Sequence, residues 1–172
     1  MSIGLSKEYF QCLSELEEWV AAFLERLSEV VKSGYLQILL RHIARESRAH
    51  RELLLSVLQA TGSEPKVADC ARRIGEAGVS AIRRYRELVA RLDSGWVPSP
   101  EELASLLEDE VKVENLAGEE NYAKLGFRVA SLSRCVEPLL FEELASREEY
   151  HRKLLEKAIA FLRSGSSDCP EP

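Results

Sequence analysis

Residues 141–162 read FEELASREEYHRKLLEKAIAFL. Phe141, Leu144, Leu155, Ile159 and Leu162 recur at the three- and four-residue spacing of an amphipathic helix. Glu148 and His151 fall inside that apolar face. They are three residues apart, so their side chains project together. A carboxylate taken out of water is costly unless something compensates its charge. The question the stretch raises is what compensates Glu148.

The same interruption recurs along the chain. A first helix is expected over about 6–32, with Phe10, Leu13, Val20, Leu24, Leu27 and Val31 as its stripe. Glu17 is the polar member of that stripe, and Glu18 points away. A second is expected over about 35–60, after Gly34. Its face of Leu36, Leu39, Ile43, Leu54 and Val57 is broken by Glu46, Ser47 and His50. Thr61-Gly62-Ser63 and Pro65 close it. A fourth helix starts at Ser99-Pro100-Glu101-Glu102, where Ser99 suits the N-cap, Pro100 the first turn and Glu102 a capping box. It is expected to run to about Phe127, with Glu110, Glu114 and Asn121 on the face of Leu103, Leu107 and Leu125. The fifth begins between Ser131 and Pro138 and ends before Gly165.

Between the hairpins, about 6–61 and 100–163, the connection carries its own helix over about 67–92. Gly75 and Gly78 weaken it and Gly95 ends it. It is rich in arginine (Arg72, Arg73, Arg83, Arg84, Arg86, Arg91), and a solvated face accounts for these better than an anion or partner site. The architecture expected is all-α: one bundle domain over 1–165, with a flexible tail at 166–172. Facing residues of an antiparallel hairpin are equidistant from its turn. The midpoint of Glu17 and His50 falls between Ser33 and Gly34. That of Glu114 and His151 falls between Leu132 and Ser133. Both Glu–His pairs are therefore expected to meet at mid-bundle height.

Composition excludes several alternatives. The 172 residues suit one domain, and a net charge of -6 gives no basic face for nucleic acid. No apolar run is long enough for a membrane span, and the N-terminal residues lack the blocks of a signal peptide. A cytoplasmic location is expected. Cys12, Cys70, Cys135 and Cys169 form no Cys-x-x-Cys pair and read as reduced, inert thiols. The single Met, scarce Asn and Gln, and dense charge are thermophile-like, a setting in which intracellular disulfides do occur.

Glu148-Glu149-Tyr150-His151 resembles the Glu-x-x-His signature of the ferritin-like superfamily, especially its rubrerythrin-like branch. Such proteins take one Glu from each of two helices and Glu-x-x-His from each of two others. The resemblance implies a ferritin-like four-helix bundle binding two iron or manganese ions per chain. Glu114, Glu148 and His151 match the second half of the ligand set; Glu17 and His50 match the first. Ser47 stands where the first half would have its second Glu. Glu46, one place off, is the nearest replacement, and Glu110 is a substitute ligand one turn from Glu114. Ser47 could leave the chain with a single metal.

Resemblance to rubrerythrins implies an oxidoreductase acting on peroxide or dioxygen. Its electrons would come from a separate donor protein, because no rubredoxin-type cysteine pair is present. A homo-oligomer such as a dimer is compatible with this. Two other functions fit the same residues. One is metal binding or iron storage without turnover. The other is a metal-free bundle acting as an interaction protein, its inward glutamates paired with arginines such as Arg45, Arg48 or Arg147.

Overall fold

The computed structural model describes residues 7–60, 70–115, 122 and 137–164. Its five helices are α1 (Lys7–Val30), α2 (Gly34–Ala60), α3 (Cys70–Asp93), α4 (Pro100–Asn115) and α5 (Glu137–Ser164). The described residues are all-α, and none of their helices is long and apolar enough to cross a membrane. The chain divides into two compact units, Met1–Val97 and Pro98–Pro172.

Local chemistry accounts for the helix ends. The turn from α1 to α2 spans three residues. In it the Leu36 amide donates to Ser33 Oγ, and the Gln37 side chain donates to the Val31 carbonyl at 2.9 Å. Both bonds satisfy backbone groups that a helix end leaves over. At the start of α4 the expected capping box is present. The Ser99 amide donates to Glu102 Oε2 at 2.8 Å, and the Glu102 amide donates to Ser99 Oγ at 3.2 Å. At the end of α3, Gly95 takes a left-handed φ of 89°. Its amide donates to the Leu92 carbonyl and that of Trp96 to the Arg91 carbonyl, which is a Schellman cap. The Arg91 guanidinium lies 3.7 Å from the Trp96 ring centroid and closes the cap.

In the first unit α1 is the middle helix, with α2 and α3 packed on it. From residue 8 to its end, only Glu25, Arg26 and Glu29 of α1 are exposed. The α2 side carries Glu17, Glu18, Glu25 and Ser28, which meet His50, Arg51, Arg48 and Arg41. Residue numbers fall on α2 as they rise on α1, so this pair is antiparallel. The α3 side carries Glu8, Cys12, Glu15 and Phe23, which meet Arg73, Cys70, Arg86 and Tyr85. From Cys12–Cys70 to Arg26–Asp93 the numbers rise on both helices, so α3 runs parallel to α1. It presents one stripe to do so: Ile74, Gly78, Ala81, Ile82, Tyr85, Leu88 and Leu92 are its buried residues.

The arginines of α3 remain exposed, as expected, yet Arg73 and Arg86 also bind glutamates of α1. Arg86 lies over the Trp19 ring at 5.0 Å as well. The connecting helix thus belongs with the first hairpin.

One expectation is overturned. Cys12 and Cys70 are not reduced thiols but a disulfide. They are 58 residues apart, so only the packing of α3 on α1 brings them within reach. Cys135 and Cys169 lie outside the described residues, as do Asn121, Leu125, Phe127 and the tail at 166–172.

In the second unit α4 and α5 pack as an antiparallel pair. Glu114 approaches His151 and Glu108 binds Arg163. Leu103, Leu106 and Leu107 of α4 and Leu144, Leu155, Ala158 and Ile159 of α5 are buried.

Candidate metal centre

The second unit gathers three of the expected ligands. Glu114 comes from α4, and Glu148 and His151 come from one face of α5. All three are buried, with His151 fully so. One ligand atom from each lies within 4.8 Å of the other two. His151 Nδ1 is 3.5 Å from Glu114 Oε2 and 3.8 Å from Glu148 Oε2. These separations are longer than good hydrogen bonds, which cluster near 2.9 Å. They approach the spacing of donors around a shared ion. Two donors each about 2.1 Å from one metal, at angles of 90–110°, lie roughly 3.0–3.4 Å apart. The two distances from His151 Nδ1 exceed that range by a few tenths of an ångström.

Helix geometry separates these carboxylates from their neighbours. Glu149 follows Glu148 by 100° of rotation and emerges into solvent. There Lys153 Nζ lies 2.6 Å from its Oε1. That hydrogen bond, followed by the charge of Lys153, holds the Glu149 carboxyl below its usual pKa. Its ordinary pairing contrasts with the placement of Glu148, directed inward beside a buried imidazole.

The first unit holds the smaller set. Glu17 and His50 are both buried, and Glu17 Oε1 lies 3.7 Å from His50 Nδ1. Each Glu–His pair expected from equidistance about its turn is in contact. Ser47 is buried one turn before His50, in the position where a further carboxylate would point inward.

Glu46 is only partly buried and stands 3.9 Å from the exposed His42 on its own helix. Rotation of 100° per residue carries it to the edge of the face that Ser47 occupies. Glu110 is fully buried one turn before Glu114. Neither Glu46 nor Glu110 belongs to the metal-sized groups found among the described residues. Tyr122 is fully buried and Tyr9 partly so.

Two of the arginines weighed as partners for inward glutamates bind other acids. Arg48 pairs with Glu25, and Arg147 lies 3.6 Å from Glu143. Both of those carboxylates are exposed. The cysteine pair is the feature that sequence reasoning missed. Two isolated cysteines in different helices carry no spacing signal, and the thermophile-like composition marks a disulfide as possible without saying which cysteines pair.

Two carboxylate oxygens and one neutral imidazole form a donor set for iron, manganese or a similar divalent ion. Three protein donors also leave coordination positions open, which a structural site does not. The residues present therefore fit a metal. Comparison of the chain with protein-family models, with curated proteins and with solved structures finds no match.

Proposed function

We propose that this chain is a ferritin-like metalloprotein that binds iron or manganese and acts as an oxidoreductase on peroxide or dioxygen. The observation that supports the reading is the buried Glu114–Glu148–His151 set, with one donor atom from each residue within 4.8 Å of the other two. The Glu17–His50 pair is its counterpart in the first hairpin, so the full complement is two metals per chain. Bound iron or manganese would supply redox electrons and Lewis acidity. Reduction of hydrogen peroxide to two waters consumes two electrons and two protons, and a separate donor protein provides the electrons.

The residues of the chain have distinct tasks in this reading. Glu114 and Glu148 supply negative charge that offsets a divalent ion. His151 supplies a neutral nitrogen, so metal binding requires it deprotonated and weakens as the pH falls. The apolar residues around it on α5, Leu144, Leu155 and Ala158, keep bulk water from the donors. A fourfold bundle formed from the two hairpins belongs to this proposal, and so does a cytoplasmic location. The Cys12–Cys70 disulfide is compatible with that location for a thermophile-like chain.

Ser47 favours one variant of the reading. With a serine in place of a carboxylate, the first hairpin offers two donors where the second offers three. Its affinity is the lower of the two, and occupancy can stop at one metal.

The test is metal analysis after anaerobic loading with ferrous iron, beside the variant Glu114→Ala, Glu148→Ala. One to two irons per chain are expected, with the second hairpin's iron lost in the variant. Two would mean both hairpins bind, and one would mean that Ser47 disables the first. No bound iron would sink the reading. It would leave the His–Glu pairs as internal ion pairs of a metal-free bundle.

A further inference from the structure

We propose that Cys12 and Cys70 form a second redox site, independent of any metal. It is a dithiol–disulfide couple that exchanges with external dithiols and is hinged at Gly75. Three observations carry this.

The first is the asymmetry of the two sulfurs. Cys12 is fully buried within α1, whereas Cys70, the first residue of α3, is partly exposed. A thiolate from solvent therefore reaches Cys70 Sγ and not Cys12 Sγ.

The second is the break in α3. Gly75 has φ 75° and ψ 170°, a conformation that is essentially restricted to glycine. It separates the turn 70–74 from the body of the helix. The side chain of Ile74 lies on the backbone of Gly78, where a Cβ would meet Ile74 Cδ1 at 2.7 Å. The two glycines thus have separate tasks. Gly75 bends the chain so that Cys70 turns toward α1, and Gly78 leaves room for Ile74 in the bent form.

The third is that the body of α3 is held without the disulfide. Tyr85 packs on Phe23 with ring centroids 5.2 Å apart, Arg86 binds Glu15 and covers Trp19, and Asp93 lies 3.0 Å from Arg26. Opening the bond frees only the short turn before Gly75. Arg73 on that turn binds Glu8 and keeps Cys70 near Cys12 for reclosure.

The exchange balances as follows. A thiolate of the external dithiol attacks Cys70 Sγ. The S–S bond breaks, and its electron pair leaves on Cys12 Sγ, which takes a proton. The second thiol of the reductant then attacks its own sulfur in the mixed disulfide and releases Cys70 as a thiolate, which is protonated. The protein gains two electrons and two protons, and the reductant becomes a disulfide. A disulfide oxidant reverses the sequence.

The test uses the full chain as Cys135→Ser, Cys169→Ser, so that Cys12 and Cys70 are the remaining cysteines. The metal-free protein is equilibrated with dithiothreitol at graded reduced-to-oxidised ratios in native buffer. Samples are then trapped with a maleimide in denaturant and weighed by mass spectrometry, while the unquenched protein is followed in parallel by far-ultraviolet circular dichroism. Before reduction neither cysteine should label. Both should label together as the ratio rises, with helicity retained, and labelling should disappear on reoxidation. Gly75→Ala, which strains the closed form, should shift the midpoint toward the dithiol by about tenfold or more. Labelling before reduction would overturn the proposal. So would a bond that the dithiol reduces only when denaturant is present during the reduction, or loss of helicity on reduction.

Discussion

Gly78 offers a test whose sign depends on one neighbour. In an ordinary helix interior, replacing Gly by Ala stabilises by about 0.8–1 kcal/mol through propensity. Gly78 has no left-handed φ, so its backbone accepts an alanine. Its surroundings do not. The added Cβ would stand 2.7 Å from Ile74 Cδ1, 2.8 Å from Cγ1 and 3.2 Å from Cβ. Contacts between carbons are optimal near 3.5–4.0 Å, and a β-branched side chain has little freedom at χ1 to move away. Overpacking of this kind costs about 1–3 kcal/mol. Gly78→Ala should therefore destabilise the protein by roughly 1 kcal/mol net, the propensity gain being outweighed. In an Ile74→Ala background Cγ1 and Cδ1 are gone and only the 3.2 Å approach to Cβ remains, so the same substitution should stabilise by up to about 1 kcal/mol. Guanidinium denaturation of the four proteins, followed at 222 nm, closes the double-mutant cycle. A coupling of about 2 kcal/mol is expected. Equal effects of Gly78→Ala in both backgrounds, within about 0.5 kcal/mol, would refute the seating of Ile74 on Gly78.

Other consequences can be measured in the same way. In the chain-entropy view, a cross-link closing a loop of 58 residues stabilises by about 4 kcal/mol. Reduced protein should lose about that much in the same denaturation assay, and a loss below about 1 kcal/mol would argue against a Cys12–Cys70 bond in the folded chain. Ser47→Glu places a carboxylate in a buried position and should lower metal-free stability by a few kcal/mol. Ferrous iron should restore it and raise the iron count by one per chain; destabilisation that iron does not relieve would remove Ser47 from the ligand face. Ser99→Ala breaks one arm of the α4 capping box and should cost about 1 kcal/mol, read from urea midpoints.

Much of the fold lies in local patterns. The stripes of α1, α2 and α5 specify helices because a 3.6-residue period needs nothing beyond the chain itself. The capping box at Ser99 and the Schellman cap at Gly95 are likewise settled within a few residues. Even the Glu17–His50 and Glu114–His151 contacts follow from counting outward from a turn, because antiparallel hairpins pair by equidistance.

The remainder depended on how helices pack. Glu46 and Ser47 are adjacent, and helix rotation turns the serine inward and leaves the glutamate at the boundary. Two apolar faces on α1, one for α2 and one for α3, blur into a broad stripe in the sequence. That breadth hid the parallel docking of α3 and its Arg73 and Arg86 pairs. The disulfide was least legible of all. Cys12 and Cys70 meet because α3 lies along α1 and bends at Gly75; the glycine is near Cys70 in sequence, but nothing local to either cysteine names its partner. Periodicity and end-capping are properties of a single helix, so the sequence alone determines them. Pairings between helices are set by packing, and only the tertiary structure decided those.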